Sequence, residues 1–322
     1  MSVSKEKVKL DEVLKFLFST SNKVLIKLLS GIFEEEINED EVKLTVTNNE
    51  FVEDDLGILR GDMFFDILNK DRNKVSYHIE FQTRNDNTMV VRMFEYGFKK
   101  GKEQLKADKE EIRTIYFPKQ KVIFFEENMN IKDTLSLRIV FPDDQEVNYV
   151  VDVMKYWEYT DEELKRKKMY PLIPLQLFSL RKELEKAQNK GDIEKLNTLS
   201  YTARELSQKL AKESAMLFDE DEIFGEDFHK MLLAIQNLIE YLNRNYLNDE
   251  NIEEEVITMT KTLYDPEVER KGIEKGIEKG IEKGKEEAAI NFLKLGISEE
   301  MVSKGTGLPI EKVIELKKKM IN

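Results

Sequence analysis

Three acidic side chains sit inside stretches that otherwise read as apolar strand. They are Asp62, Asp66 and Glu80, within RGDMFFDILNKDRNKVSYHIEFQ at residues 60–82. Phe, Ile, Val and Tyr dominate both halves and Asn69 to Lys74 form a polar turn, so the stretch predicts a β-hairpin. Side chains alternate faces along a strand. Asp62, Phe64 and Asp66 therefore share one face, and Met63, Phe65 and Ile67 the other. On the second strand His78, Glu80 and Gln82 point opposite to Ile79 and Phe81. An unpaired buried carboxylate costs roughly several kcal/mol, so acids on such a strand need a partner. Clustered carboxylates suit a divalent cation, and Mg²⁺ takes one or two of them while keeping waters for its substrate. Glu80 with Asp62 or Asp66 is the expected ligand pair. Asp66 shares the face of Asp62, and the residues alone leave the choice between the two open.

The flanking elements must hold this hairpin. Val13, Leu14, Leu17, Val24, Leu25, Leu28, Leu29 and Ile32 recur at helical spacing and predict a helix over 11–32, with Asp11 at its N-cap and Gly31 near its end. Residues 42–47 alternate as a strand. The polar run NNEFVEDDLG that follows reads as a loop, in which Glu50 is a weak further ligand candidate. After the hairpin, a helix is expected over roughly 88–107, buried through Val90, Met93, Phe94, Gly97 and Phe98. Arg92, Tyr96, Lys99, Lys100, Lys102 and Lys106 fall on its other faces. KVIFFEE at 121–127 is a strand. The order is helix, three strands, helix, strand. A further hairpin is expected at 135–141 and 147–154 around Asp143-Asp144-Gln145.

That order, with an acid on one strand and an acid–apolar–polar triplet on the next, resembles the PD-(D/E)XK nuclease superfamily. It is closer still to the Rpn family of recombination-promoting nucleases and transposase-like proteins. That family carries R-x-D-h-h-F, then E-x-Q-S/T, then M-x-x-R-h-h-x-Y, where h is apolar. Here these are Arg60–Phe65, Glu80-Phe81-Gln82-Thr83, and Met89 to Tyr96 with Arg92. The resemblance covers roughly residues 10–180. It implies an α/β fold with an αβββαβ core and an added hairpin, followed by a helical region and a three-helix tail. It also implies a Mg²⁺-dependent DNA endonuclease with a link to recombination or mobile elements. Asp62, Glu80 and Gln82 would be catalytic. Asp62 would take precedence over Asp66 as ligand, and the Phe81 carbonyl would be a further one. Gln82 stands where the superfamily usually has lysine; it can orient a water but cannot exchange a proton. Arg92, Tyr96 and Lys99 would meet the DNA backbone. The alternative is a nuclease-like fold that binds DNA or assembles proteins without turnover.

Composition narrows the rest. The chain has 322 residues, 40% hydrophobic and 36% charged, with no cysteine and two histidines. Disulfides, thiolate chemistry and Cys- or His-rich zinc sites are excluded. No apolar run approaches the ~20 residues needed to span a bilayer. MSVSKEKVKLDEV lacks a signal-peptide core, so a cytoplasmic location is expected. A net charge of −13 argues against non-specific coating of DNA but permits a local basic groove.

Three segments are expected: a nuclease-like domain at 1–175, a helical domain at 176–265, and a repeat plus tail at 266–322. Lys165 to Lys168 read as a complement to a helix C-terminus, with contact to DNA as the alternative, and His229 as structural. Residues 271–284 repeat Lys-Gly-Ile-Glu, with glycines at 272, 276, 280 and 284. Each costs ~1 kcal/mol relative to alanine in a helix, so the stripe is expected either to gain a close helix neighbour, as a self-association helix forming a homo-oligomer, or to stay partly disordered. Residues 285–322 predict three short helices, with Gly296 stopping the first, Ser298 capping the second and Gly305-Thr306-Gly307 before the third. Their layout resembles a helix-turn-helix. Residues 298–322 hold five Lys against four Glu, which favours a packing or regulatory role over DNA recognition.

Overall fold

The structure is a computed structural model describing residues 10–53, 59–71, 73–83, 86–103, 105–107, 112–263 and 266–321; for 10–11, 48–53, 59–61, 106–107, 266–279 and 320–321 it describes backbone alone. The chain divides into two compact units, 1–263 and 264–322. No helix among the described residues is long and apolar enough to cross a membrane.

The first unit begins with α1 (Leu10–Leu17) and α2 (Asn22–Phe33), then β1 (Val42–Glu53), β2 (Leu59–Asn69), β3 (Lys74–Gln82) and α3 (Met89–Lys102). A two-residue ladder, β4 (Lys106–Ala107) with β5 (Arg113–Thr114), leads to β6 (Lys119–Phe124), β7 (Thr134–Val140) and β8 (Glu146–Lys155). Six strands form one mixed sheet in the order β1-β2-β3-β6-β8-β7. The first three pair antiparallel, β6 runs parallel to β3 and to β8, and β7 pairs antiparallel with β8. The expected hairpins, and the order of three strands, helix and strand, are all present.

Both faces of the sheet are covered. Phe18 on the N-terminal side lies 4.9 Å from Phe81, and Phe33 lies 5.0 Å from Tyr77, so α1 and α2 cover the face bearing Tyr77, Ile79 and Phe81. On the opposite face Met89 and Met93 of α3 form a core with Val122, Phe124, Ile131 and Val151. The parallel step from β3 to β6 thus carries its crossover helix over the face that holds Glu80.

Three elements differ from the sequence expectation. The helix expected at 11–32 is two helices. Ser21, in extended conformation, caps α2 and accepts a hydrogen bond from Val24 N. Its own N–H and hydroxyl donate to the buried Asp227 carboxylate, each at 2.7 Å. The loop expected from residue 48 is strand as far as Glu53, because an edge strand needs pairing on one side only and tolerates polar residues. α3 ends at Lys102, earlier than expected.

Asp227 belongs to the helical part of the same unit. α4 (Asp161–Arg166) starts with a Thr160–Glu163 capping box, and a buried 3₁₀ segment, Tyr170–Leu180, follows. Then come α5 (Arg181–Lys190), α6 (Ile193–Asp219), α7 (Gly225–Leu242) and α8 (Ile252–Leu263). Lys165 and Lys167 pair with Glu220 and Glu34, which gives that basic stretch local acidic partners. Gly31 lets α2 pass close to the end of α4; a Cβ there would stand 2.1 Å from the Lys167 carbonyl oxygen.

In the second unit α9 (Pro266–Lys294) is one continuous helix through the repeat, so the first short tail helix is its end. No proline interrupts residues 267–294. α10 (Glu299–Thr306) and α11 (Ile310–Ile321) follow, separated as expected, with Gly296 and Gly307 at left-handed φ of 80° and 71°. Ala289, Leu293, Val302, Leu308, Val313 and Leu316 form its core.

Two substitutions test these contacts. Gly31→Ala should cost about 1–3 kcal/mol of stability through overpacking against main chain. Asp227→Ala should cost about 2–4 kcal/mol, because the Ser21 N–H and hydroxyl and the Phe224 N–H lose their acceptor. Denaturant titration of each variant reads both. An unchanged midpoint in Asp227→Ala would mean that the break between α1 and α2 is not held by this carboxylate.

Candidate functional site

Cross-strand register builds the site. Asp62 stands opposite Glu80, Phe64 opposite His78 and Asp66 opposite Ser76. Directly opposed residues of an antiparallel pair share a face, with Cβ atoms about 4.5–5.5 Å apart. Glu50 is opposite Asp62 in β1, but its side chain lies outside the described residues. A register shift between Val46 and Asn48 marks a bulge at Thr47, beside this row.

Glu80 is only 1% exposed. Its Oε1 accepts from Arg92 Nη2 at 2.5 Å and from Gln82 Nε2 at 2.8 Å. Its Oε2 has no hydrogen-bond partner among the described residues and lies 3.8 Å from His78 Nε2. Arg92 reaches inward from α3 and also pairs with Asp86 at 3.1 Å, with its guanidinium 6.0 Å from the Tyr96 ring centroid. Gln82 is buried and its amide engages Glu80. The Phe81 side chain faces α1, and its carbonyl belongs to a strand flanked by both β2 and β6.

Asp66 is differently engaged. Ser76 donates to Oδ1 at 2.6 Å, while Lys74 and Lys100 lie 2.8 and 3.3 Å from Oδ2. Burial pushes this carboxyl up, but the Lys74 and Ser76 hydrogen bonds and the Lys100 charge outweigh it and hold it below the usual carboxylate range.

A polar cleft of about 630 Å³ opens over the row. Asp62, Asp66 and Glu103 give it acid, Lys99 and Lys100 give it base, and Thr47, Phe64 and Tyr96 complete its walls. Glu80, Gln82, His78 and Arg92 lie behind that wall. His78 stacks on Phe64 at 4.0 Å and meets the Tyr96 edge at 5.7 Å. The structure thus gathers Asp62, Asp66, Tyr96 and Lys99 around the cleft, and Glu80, Gln82 and Arg92 in a buried cluster beside it. Thr47 and the burial of Lys100 were missed by sequence reasoning. The bulge that places Thr47 leaves no local signature, and Lys100 looked like one of a row of surface lysines.

No group of three or more His, Asp or Glu side chains arranged to hold a metal occurs among the described residues. A hard divalent cation needs only one or two carboxylates. Asp62 on the cleft and the orphaned Oε2 of Glu80, on directly opposed residues, fit such a two-carboxylate site in chemistry and number. Asp66 does not fit as a third, since Ser76, Lys74 and Lys100 occupy it.

Residues 9–118 match the profile of a family described as "Putative transposase, YhgA-like". The match spans β2, β3 and α3, and so every candidate residue named above. It agrees with the resemblance to Rpn-type proteins drawn from Arg60–Phe65, Glu80–Thr83 and Met89–Tyr96. No curated protein and no solved structure matches the chain.

The lowered Asp66 value has a defined sign in stability. A carboxyl whose folded pKa lies below its unfolded one adds stability above the unfolded value, near 3.9 for Asp; that stability fades as pH falls through the folded value. Denaturant midpoints taken from about pH 5 down to about pH 2.5 should therefore fall less steeply in Asp66→Asn than in the wild type. Parallel acid limbs would remove Asp66 from the account.

Proposed function

We propose that this chain is a divalent-cation-dependent DNA endonuclease of PD-(D/E)XK type, acting in recombination or in the movement of mobile elements. The observation that carries the reading is the direct opposition of Asp62 and Glu80 on neighbouring strands, beside a polar cleft that the next helix lines with lysine. The succession of α1 and α2, three antiparallel strands, α3 and a parallel β6 supports that superfamily's αβββαβ core. The family match supports a transposase-like or nuclease role.

Asp62 and Glu80 would hold the cation, Mg²⁺ or a similar ion, with the Phe81 carbonyl as a further candidate. Such a cation, when bound, supplies Lewis acidity to a phosphoryl oxygen and makes water a better nucleophile. The remaining tasks fall to the chain's own groups. Arg92 and Gln82 grip Glu80 Oε1 and leave Oε2 facing away from them. Gln82 therefore acts through the carboxylate. Lys99 and Lys100 place positive charge on the cleft, where a DNA phosphate enters a molecule of net charge −13. Tyr96 offers that cleft an aromatic wall, and Arg92 contributes from behind it.

Two observations favour a second reading, a nuclease-like fold that binds DNA or assembles proteins without turnover. Arg92 occupies the carboxylate that a cation needs, and glutamine stands in place of the usual lysine. Supercoiled-plasmid nicking in Mg²⁺ against EDTA separates the two. The expected outcome is Mg²⁺-dependent nicking that falls at least ~10²-fold in Asp62→Ala and Glu80→Gln, with circular dichroism unchanged. A Mg²⁺-induced rise in melting temperature, present in wild type and absent in Asp62→Asn, reads the ion without reference to activity. Nicking insensitive to EDTA, or retained in Asp62→Ala, leaves the binding module as the better account.

The helix α9 is proposed to carry self-association. A Cβ at Gly280 or Gly284 would meet nothing within 4 Å, so these positions are open to a close-packed helix of a second copy. Light scattering should give an oligomer for the full chain and a smaller species after deletion of 265–322; equal states would refute it.

A further inference from the structure

His78 lies on β3, buried and held between the Phe64 ring, stacked at 4.0 Å, and the Tyr96 edge. Its Nδ1 is 2.9 Å from Gln120 Nε2. Which atom of a glutamine amide faces a histidine is settled by its other contacts. Gln120 Nε2 is also 2.8 Å from the Met93 carbonyl, which can only accept. Gln120 Oε1 accepts from the Tyr149 hydroxyl. Burial raises that hydroxyl well above the ordinary tyrosine range, so it remains a donor. With the amide so fixed, an N–H faces Nδ1, and Nδ1 must accept. In a neutral imidazole the proton then sits on Nε2. Nε2 faces Glu80 Oε2 across 3.8 Å, and neither atom has a hydrogen-bond partner among the described residues.

The opposite tautomer would set N–H against N–H at Gln120 and a lone pair against a carboxylate oxygen at Glu80. Both contacts repel, and burial strengthens the repulsion. At 3.8 Å the Nε2–H is too far for a hydrogen bond and acts on Oε2 as an oriented dipole.

We propose that the Met93 carbonyl, Gln120 and Tyr149 form a positioning relay that fixes His78 as its Nε2–H tautomer and, through it, the orientation of the Glu80 carboxylate. Arg92 and Gln82 steady Oε1, and His78 steadies Oε2. His78 is then a positioning residue and no cation ligand, since a proton occupies the nitrogen that faces Glu80. Gln120 and Tyr149 lie on β6 and β8, beyond the 9–118 segment matched by the family profile, so the second hairpin serves the site. The value of the relay to catalysis rests on the proposed role of Glu80; the proton placement does not.

The test uses full-length protein labelled with ¹⁵N at histidine. The chain has two histidines, so His229→Gln assigns the spectrum. Long-range ¹H–¹⁵N correlations of the neutral ring should give the Nε2–H pattern for His78 in wild type. Gln120→Leu should give a mixed or Nδ1–H pattern, with the fold checked by circular dichroism. An Nδ1–H pattern in wild type, or no change in Gln120→Leu, overturns the relay. In plasmid nicking, Gln120→Leu should lower kcat about tenfold with KM for DNA unchanged. His78→Gln, which keeps an N–H near Nε2, should retain more activity than His78→Leu. A drop in KM terms alone, or equal loss in both His78 variants, overturns the positioning role. A wild type with no nicking at all removes the endonuclease reading, and the spectra then decide the relay by themselves.

Discussion

A carboxylate set into the apolar face of a sheet has to be paired, and the pairing of Glu80 with Arg92 is the constraint to which the rest of this molecule answers. The acid comes from the second strand of a hairpin and the base from the crossover helix that follows it. For them to meet, α3 must lie flat on the sheet. Met89 and Met93 anchor it there against Val122 and Phe124. Gly97 lets it approach Phe117 and Gln120 closely; a Cβ at that position would stand 2.6 Å from the Phe117 ring. Packing and charge therefore demand the same placement of α3.

The same helix then has two roles. Its inner side carries Arg92 to the buried cluster, and its rim carries Tyr96, Lys99 and Lys100 to the open cleft. Buried ion pairs are weak stabilisers once desolvation is counted. Here the pair secures one carboxylate oxygen, while the other has no hydrogen-bond partner among the described residues. Such asymmetry has little value for folding alone and suits a group that must present one oxygen in a fixed direction. Asp66, four residues on from Asp62 and on the same face, has both oxygens engaged and serves as a strut between β2, β3 and α3.

Much of the sheet was legible because its period of two is unambiguous where Phe, Ile and Val alternate with polar residues. The faces assigned to Asp62, Asp66, Glu80, Ile79 and Phe81 agree with the observed register. The extension of β1 through Glu53 was not legible, since edge strands carry little apolar signal. The break between α1 and α2 was hidden because Leu17, Val24 and Leu25 keep the helical period across it. Asp227, some two hundred residues away in sequence, accepts from Ser21 at that break. Within the site, Arg92 looked from spacing like an outward-facing residue. Only packing shows that it turns inward to Glu80.

By itself the sequence determined which residue types stand on which strand face, because alternation is a local property of the backbone. It determined the order of elements and the turns at Gly296 and Gly307, because helical and strand periods and left-handed glycines are local too. The tertiary structure alone decided that Ser76, Lys74 and Lys100 engage Asp66 and that Arg92 and Gln82 both engage Oε1 of Glu80. Thr47, Lys100, Gln120 and Tyr149 come from four separate elements or bends, and no spacing along the chain relates them to Glu80 or Asp66. Their meeting depends on strand register and on how closely α3 packs, and both are settled only when distant segments share one core.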